Sequence, residues 1–320
     1  MKVYYSMDEI PTIKNPVLTI GTFDGVHIGH QEIIALLKKS AEEIQGETVL
    51  FTFHPHPRMV LHPDDHGMKL IQSIDDRIQK LEQYGIDHLI LFPFSLAFSR
   101  LTAVEFVRDI LVNRINIKRM TIGYNHHFGR NREGNLELLR ELGQVYDFDV
   151  QEIGAISENN VNISSTKIRQ AVDAGELITA ASYLGEPFQF VGTVVHGDHL
   201  GTTIGFPTAN LEPLNPHQIL PKNGAYAVLV DVEGAQMRGM MNIGIRPTVT
   251  EKEVLKIEVH VFDFNSDIYS ETIRIHVIER LRDERTFESL EQLKKQLADD
   301  KINSVYILDH FVAPNRTFTS

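Results

Sequence analysis

A chain of 320 residues with 31 Lys and Arg against 43 Asp and Glu carries a net charge of −12. A field of that sign disfavours nucleic acid as a partner and repels ATP at long range, so any nucleotide site must be locally positive and metal-assisted. The lack of cysteine excludes disulfides, zinc–thiolate centres and a thiol nucleophile. No apolar run reaches membrane-spanning length and the first residues show no signal-peptide pattern, so the expectation is a cytoplasmic protein of two domains with separate cores.

Residues 1–185 alternate strands with helices. Val17–Ile20 is short, apolar and β-prone. It runs into Gly21-Thr22-Phe23-Asp24-Gly25-Val26-His27-Ile28-Gly29-His30, and then into a helical pattern over 31–45. Glycines let a backbone approach a ligand, and a helix N-terminus offers N–H groups and a positive dipole end to phosphate. His27 and His30, one turn apart, can both face such a ligand. Further strands are expected at 47–53, 87–92, 119–123 and 148–153, with helices at 75–84, 102–113 and 134–142. This order predicts a doubly wound, mostly parallel sheet, with ligands at the carboxyl ends of its strands.

From Gly185-Glu186-Pro187 the texture changes, and 186–320 reads as a second domain. Short β-rich runs at 188–195, 226–232, 236–243, 256–264 and 272–277 predict an antiparallel all-β barrel or sandwich. Two helices, 287–298 and 302–311, are expected to close the chain.

Several stretches carry candidate chemistry. His54-Pro55-His56-Pro57 follows the second expected strand, where the prolines are expected to hold an extended loop. Gly123-Tyr124-Asn125-His126-His127-Phe128-Gly129 follows the fourth. Ser164-Ser165-Thr166-Lys167-Ile168-Arg169 opens a helix, and its cations lie in the turn where the dipole opposes them, which a bound phosphate explains better than helix stability does. In the second half stand Gly205-Phe206-Pro207-Thr208-Ala209-Asn210, Asn242-Ile243-Gly244-Ile245-Arg246-Pro247-Thr248 and Glu258-Val259-His260-Val261-Phe262-Asp263-Phe264. Period two puts Glu258, His260 and Phe262 on one face, expected to be the barrel interior.

Taken together, six separated motifs in this order resemble the bacterial bifunctional riboflavin kinase/FAD synthetase family over nearly the whole chain. The resemblance implies a Rossmann-like nucleotidyltransferase domain followed by a Greek-key barrel with terminal helices. It implies that riboflavin is phosphorylated by ATP to FMN in the barrel, and that FMN is adenylylated to FAD in the first domain, with Mg²⁺ in both. His27, His30 and Arg169 would then act on the ATP phosphates and Glu258 as the kinase base. Nucleotide binding falls to Gly21, Phe23, Gly25, Gly29, Ser164, Ser165, Thr166, Gly205, Thr208 and Asn210, with Thr208 and Asn210 as metal ligands. Flavin binding falls to Asn125, Phe128, Asn242, Arg246 and Thr248. The chain departs from the family pattern at His126, where Phe is usual, and at Thr202, where a basic residue is usual. An adenylyltransferase with a weak kinase therefore stays open beside the bifunctional enzyme, as does a non-catalytic flavin-binding regulator.

Overall fold

The computed structural model describes residues 1–64, 68–123, 126–153, 157–158, 161–197, 200–247 and 253–313. It divides into two compact units, Met1–Met68 with Ile74–Ser164, and Lys69–Ser73 with Ser165–Ser320.

The first unit runs β1 (Lys2–Tyr4), β2 (Val17–Ile20), α1 (Ile28–Glu43), β3 (Thr48–Phe53), α2 (Pro57–Leu61), α3 (Ile74–Gln83) and β4 (His88–Phe92). It continues with α4 (Ala103–Glu105), which passes into a π-type helix Phe106–Ile115, then β5 (Arg119–Gly123), α5 (Leu136–Tyr146), β6 (Asp149–Ile153) and a small hairpin of β7 (Ser157–Glu158) and β8 (Val161–Asn162). The main sheet has the order β1-β4-β3-β2-β5-β6, and every pairing in it is parallel. Central β2 is buried at all four positions, which is why Val-Leu-Thr-Ile reads as a continuous apolar run. One core packs Leu18, Phe51, Val107, Met120 and Leu139; another packs Val17, Phe23, Val26, Leu37 and Leu81. Each fully buried large aliphatic or aromatic side chain contributes about 1.5–3 kcal/mol.

The chain order reverses between β2 and β5: β3 and β4 lie to one side and β6 to the other. Such a switch point opens a crevice at the carboxyl ends of its two strands. The Gly21–His30 loop leaves β2 there, and the segment that ends in Phe128-Gly129 leaves β5.

The second unit runs α6 (Ser165–Ala174), α7 (Leu177–Leu184), β9 (Phe188–Val195), α8 (Leu200–Thr203), β10 (Ala209–Pro213), β11 (Gly224–Val232), β12 (Ala235–Pro247), β13 (Glu253–Val261), β14 (Thr272–Arg282) and α9 (Leu290–His310). Six antiparallel strands close into a barrel in the order β10-β13-β12-β11-β14-β9. β11, β12 and β13 form a meander and β14 returns beside β11, which is Greek-key topology. β9 alternates strictly, with Phe188, Phe190, Gly192 and Val194 inward. Ile168, Val172, Leu177 and Leu184 of α6 and α7 join the barrel core.

Four sequence expectations need correction. The tail is one helix, Leu290–His310, rather than two. Its charged centre is no break, because buried Asp300 receives Arg282 Nε at 3.0 Å and Nη2 at 2.8 Å. Ala209–Pro213 forms the strand β10, where the run of expected strands has none. The His-Pro tract does not stay extended: Pro57 opens α2, and His56 caps it through Nδ1, which accepts from Arg58 N–H at 3.2 Å. Finally, the barrel interior is lined by Ile257, Val259 and Val261, so Glu258 and His260 lie on the outer face of β13. Burying an unpaired carboxylate among these aliphatics would cost far more than burying their own side chains gains.

Candidate active sites

In the first unit the loop after β2 is held in an unusual conformation. Phe23 (φ 48°), Gly25 (φ 89°) and Val26 (φ 39°) are all left-handed. For an aromatic and a β-branched residue this costs on the order of 1–3 kcal/mol each. Burial offsets it, since Phe23 and Val26 are both in the core. At Gly21 and Gly29 the space is tight. A Cβ on Gly21 would meet the Phe23 ring at 3.0 Å, and one on Gly29 would meet the His27 ring at 3.2 Å.

His27 is the N-cap of α1, and its Nδ1 accepts from His30 N–H at 3.3 Å. That bond leaves the proton of a neutral His27 on Nε2. The two imidazoles stack at 3.7 Å and 17°, and Phe23 lies 4.7 Å from His30. Burial first, then the His27, Arg77 and Lys80 charges, holds His30 well below the usual imidazole range. A neutral imidazole can donate one hydrogen bond to a phosphate oxygen without titrating at neutral pH.

Beneath the loop, two residues that sequence reasoning missed grip its backbone. Arg77 Nη1 donates to Thr22 O at 2.9 Å, and its Nη2 meets Asp24 at 3.4 Å with both side chains buried. Lys80 Nζ donates to Gly25 O at 3.0 Å. The available signal is their i, i+3 spacing on α3, alongside the buried Leu81.

Of the segment after β5, Tyr124 and Asn125 lie outside the described residues. Phe128 is buried, exchanges both backbone hydrogen bonds with Gly134, and sets its ring 6.1 Å from Phe106. Gly129 (φ 74°) admits no Cβ, which would fall 2.6 Å from Ala103 N. His126 stacks on Phe128, and burial, with His127 and Arg132 nearby, lowers its pKa to about 4. The unfolded chain therefore takes up a proton near pH ~6.5 that the folded chain refuses. Stability is full above that value and falls with pH through the window down to about 4, by roughly 3 kcal/mol at its lower end. His30, His54 and His260 are shifted in the same direction. Urea unfolding at successive pH values should show midpoints that fall on acidification. His126→Phe should flatten that slope, and an unchanged slope would assign it elsewhere.

Ser164 ends the first unit; Ser165, Thr166 and Arg169 belong to the second. Ser165 and Thr166 begin α6, and Arg169 Nε donates to Lys69 O at 2.6 Å. Lys69–Ser73 is tied into the same unit by Leu70 N–H to His217 O at 2.7 Å and Ile219 N–H to Leu70 O at 2.8 Å.

On the barrel, register assembles a second constellation. Glu258 of β13 is directly opposite Asn210 of β10 on one side and Asn242 of β12 on the other. Directly paired residues point to the same face with Cβ atoms ~5 Å apart. Three residues from motifs far apart in sequence thus form one row on the outer face. The Asn210 amide lies over Gly197, where a Cβ would come within 1.9 Å of its nitrogen. Glu258 pairs with Lys256 at 3.0 Å, and its side chain is 32 % exposed, so a ligand can reach it. His260 Nδ1 donates to Pro207 O at 2.7 Å, which fixes the loop just before Thr208. Gly205 (φ 85°) ends α8, with Phe206 N–H donating to Gly201 O at 2.8 Å. Gly205 is thus a helix cap that delivers Pro207-Thr208 to β10. The side chains of Thr202 and Arg246, and all of Thr248, lie outside the described residues.

The first unit thus holds a stacked histidine pair at a sheet switch point, and the second a reachable carboxylate flanked by amides on a barrel wall. Comparison with known proteins places these elements in a family of transferases. Residues 10–167 match the family model for FAD synthetase and residues 184–308 that for riboflavin kinase. The chain is 38 % identical over 289 residues to the bifunctional riboflavin kinase/FMN adenylyltransferase of Escherichia coli, covering 90 % of this chain and 91 % of that protein. It is 36 % identical over 295 residues to the protein of the same description from Bacillus subtilis, covering 90 % and 91 %. A solved structure from Streptococcus pneumoniae, described as a macrolide-efflux protein, superposes with a TM-score of 0.86 at 34 % identity, covering 95 % and 98 % of the two chains. Among the described residues of the present chain, no helix is long and apolar enough to cross a membrane. The chain belongs to the bifunctional riboflavin kinase/FMN adenylyltransferase family.

Proposed function

We propose that residues 186–320 transfer the γ-phosphoryl group of ATP to riboflavin, and that residues 1–185 transfer the adenylyl group of a second ATP to the FMN so formed. The observation that carries this reading is that each unit holds its own assembled constellation, the His27–His30 stack in one and the Asn210–Glu258–Asn242 row in the other.

In the kinase centre, Glu258 accepts the proton of the riboflavin 5′-hydroxyl as that oxygen attacks the γ-phosphorus and ADP leaves. The flavin is held by Asn242, Arg246 and Thr248. Magnesium fits the donor chemistry here: the Asn210 amide, with the Thr208 hydroxyl two residues before it, would supply oxygen ligands, and Mg²⁺ takes few protein ligands beside water and phosphate. When bound, the ion would neutralise charge that develops on the phosphates.

In the adenylyl centre, the FMN phosphate is already ionised and needs no base. It attacks the α-phosphorus in line, and pyrophosphate departs. His27 and His30 donate to the phosphate oxygens, and the Gly21–Gly29 loop supplies backbone donors. The leaving-group role of Arg169 and the phosphate-binding role of Ser164, Ser165 and Thr166 rest on the family resemblance. Asn125 and Phe128 border the flavin. The partners are flavins and ATP rather than nucleic acid, in keeping with the net charge of −12, and the setting is the cytoplasm.

The test is positional labelling. ATP labelled at the γ-phosphorus should mark FMN, and ATP labelled at the α-phosphorus should mark FAD alone. Label from the α-position in FMN would overturn the assignment of reaction types.

A further inference from the structure

We propose that Arg77 and Lys80 are positioning residues for adenylyl transfer. From beneath the Gly21–His30 loop, they hold its carbonyls so that its amides and its histidine pair face the phosphates. The inference rests on the adenylyl-transfer reading of that loop.

The geometry is that of a clamp. Within one trans peptide, the C=O and the following N–H point in opposite directions. Arg77 binds Thr22 O, so the Phe23 N–H is directed away from α3. Gln31 Nε2 binds Val26 O at 2.8 Å, so the His27 N–H is likewise turned away from that contact. Between them, Lys80 holds Gly25 O, and Val26 N–H folds back onto Phe23 O at 3.1 Å, which locks the left-handed Gly25–Val26 turn. Thr52 Oγ1 adds a second donor to Thr22 O at 3.1 Å. The loop is strained at Phe23 and Val26, and holding its carbonyls favours the one conformation that carries this strain.

The choice of residue type also needs explaining. Arg77 is 2 % exposed, and Lys80 is buried as well. Desolvating two cations is expensive, and neutral donors could cap carbonyls at lower cost. For Arg77 the charge also meets buried Asp24 of the same loop at 3.4 Å, so it ties a side chain of the loop as well as its backbone, which a neutral donor would do more weakly. Burial is the main reason that the His30 pKa is lowered, and after His27 the charges of Arg77 and Lys80 add to it.

The experiment uses the full chain with Lys80→Met, Lys80→Gln and Lys80→Arg. The readouts are kcat and KM for ATP in FAD formation, FMN formation from riboflavin as an internal check of folding, and NMR titration of the His30 imidazole. Misplacing reacting groups by an ångström costs about 10²-fold in rate, and that fall in kcat is expected for Lys80→Met, with KM for ATP changed far less. FMN formation should be unchanged. His30 should titrate at higher pH than in the unmodified chain, and Lys80→Arg should restore both kcat and titration. Lys80→Gln, which keeps a shorter donor without the charge, should fall between and supplies the reading if Lys80→Met does not fold. Wild-type kcat in Lys80→Met or Lys80→Gln overturns the proposal, as does a loss of kcat with the His30 titration unmoved. If the unmodified chain makes no FAD from FMN, the adenylyl-transfer reading itself is wrong, and the proposal falls with it.

Discussion

Glu258→Ala should lower FMN formation from riboflavin by about 10²–10⁴-fold, the usual contribution of a general base. It should leave FAD formation from supplied FMN at the wild-type rate. The carboxylate lies on the outer wall of the barrel, so its removal opens no cavity in the Ile257–Val259–Val261 core. Its ion pair with Lys256 is partly exposed and contributes at most ~1 kcal/mol to stability. A large loss of rate in a stably folded variant therefore reports on chemistry. Glu258→Gln sharpens the test, because it keeps the shape and the hydrogen-bonding reach between Asn210 and Asn242 but cannot accept the hydroxyl proton. Loss of both activities in a folded variant would dissolve the two-centre assignment.

His30→Ala should do the reverse. Removing one preorganised donor to a charged transition state costs about 10²–10³-fold in kcat. FAD formation should drop by that factor, while FMN formation continues. The ring is stacked on His27 and Phe23, and its buried Nδ1 has no hydrogen-bond partner among the described residues, so its removal breaks no bond of that atom. Arg169→Ala should act in the same direction. It also releases Lys69 O, which Arg169 Nε holds at 2.6 Å, so its thermal midpoint must be compared with that of His30→Ala. Steady-state rates with riboflavin or FMN as the sole flavin substrate give both numbers. Persistence of FAD formation in His30→Ala would remove the histidine pair from the mechanism.

Much of the architecture was legible because burial leaves simple patterns. Val17–Ile20 is apolar throughout because both faces of its strand are covered, and Phe188–Val195 alternates because only one is. The strand-turn-helix reading of Gly21–His30 placed the histidines correctly, although α1 starts at Ile28, inside the motif, with His27 as its cap. What stayed hidden has physical causes. β10 carries Asn210, Glu212 and Pro213, so its outer face reads as loop although both of its edges are paired. Period two separated the faces of β13 but could not say which one is inside; the aliphatic Ile257, Val259 and Val261 take the interior, and that sends Glu258 outward. The alignment of Asn210, Glu258 and Asn242 depends on register between strands distant in sequence, which no local pattern encodes. Arg77 and Lys80 look like the solvated side of an amphipathic helix, and only the fold of the loop above them turns them inward. Asp300 misled in a similar way, as a charge in mid-helix that is buried against Arg282.

The most direct test of two working centres in one chain is a chromatographic time course of riboflavin, FMN and FAD with the purified protein, ATP and Mg²⁺. FMN should rise first and FAD should follow, as FMN becomes available for adenylylation. FAD from supplied FMN with nothing from riboflavin would contradict the kinase centre and turn attention to Thr202. Tight flavin binding with no turnover of either flavin would contradict both centres and leave a regulator on the same scaffold.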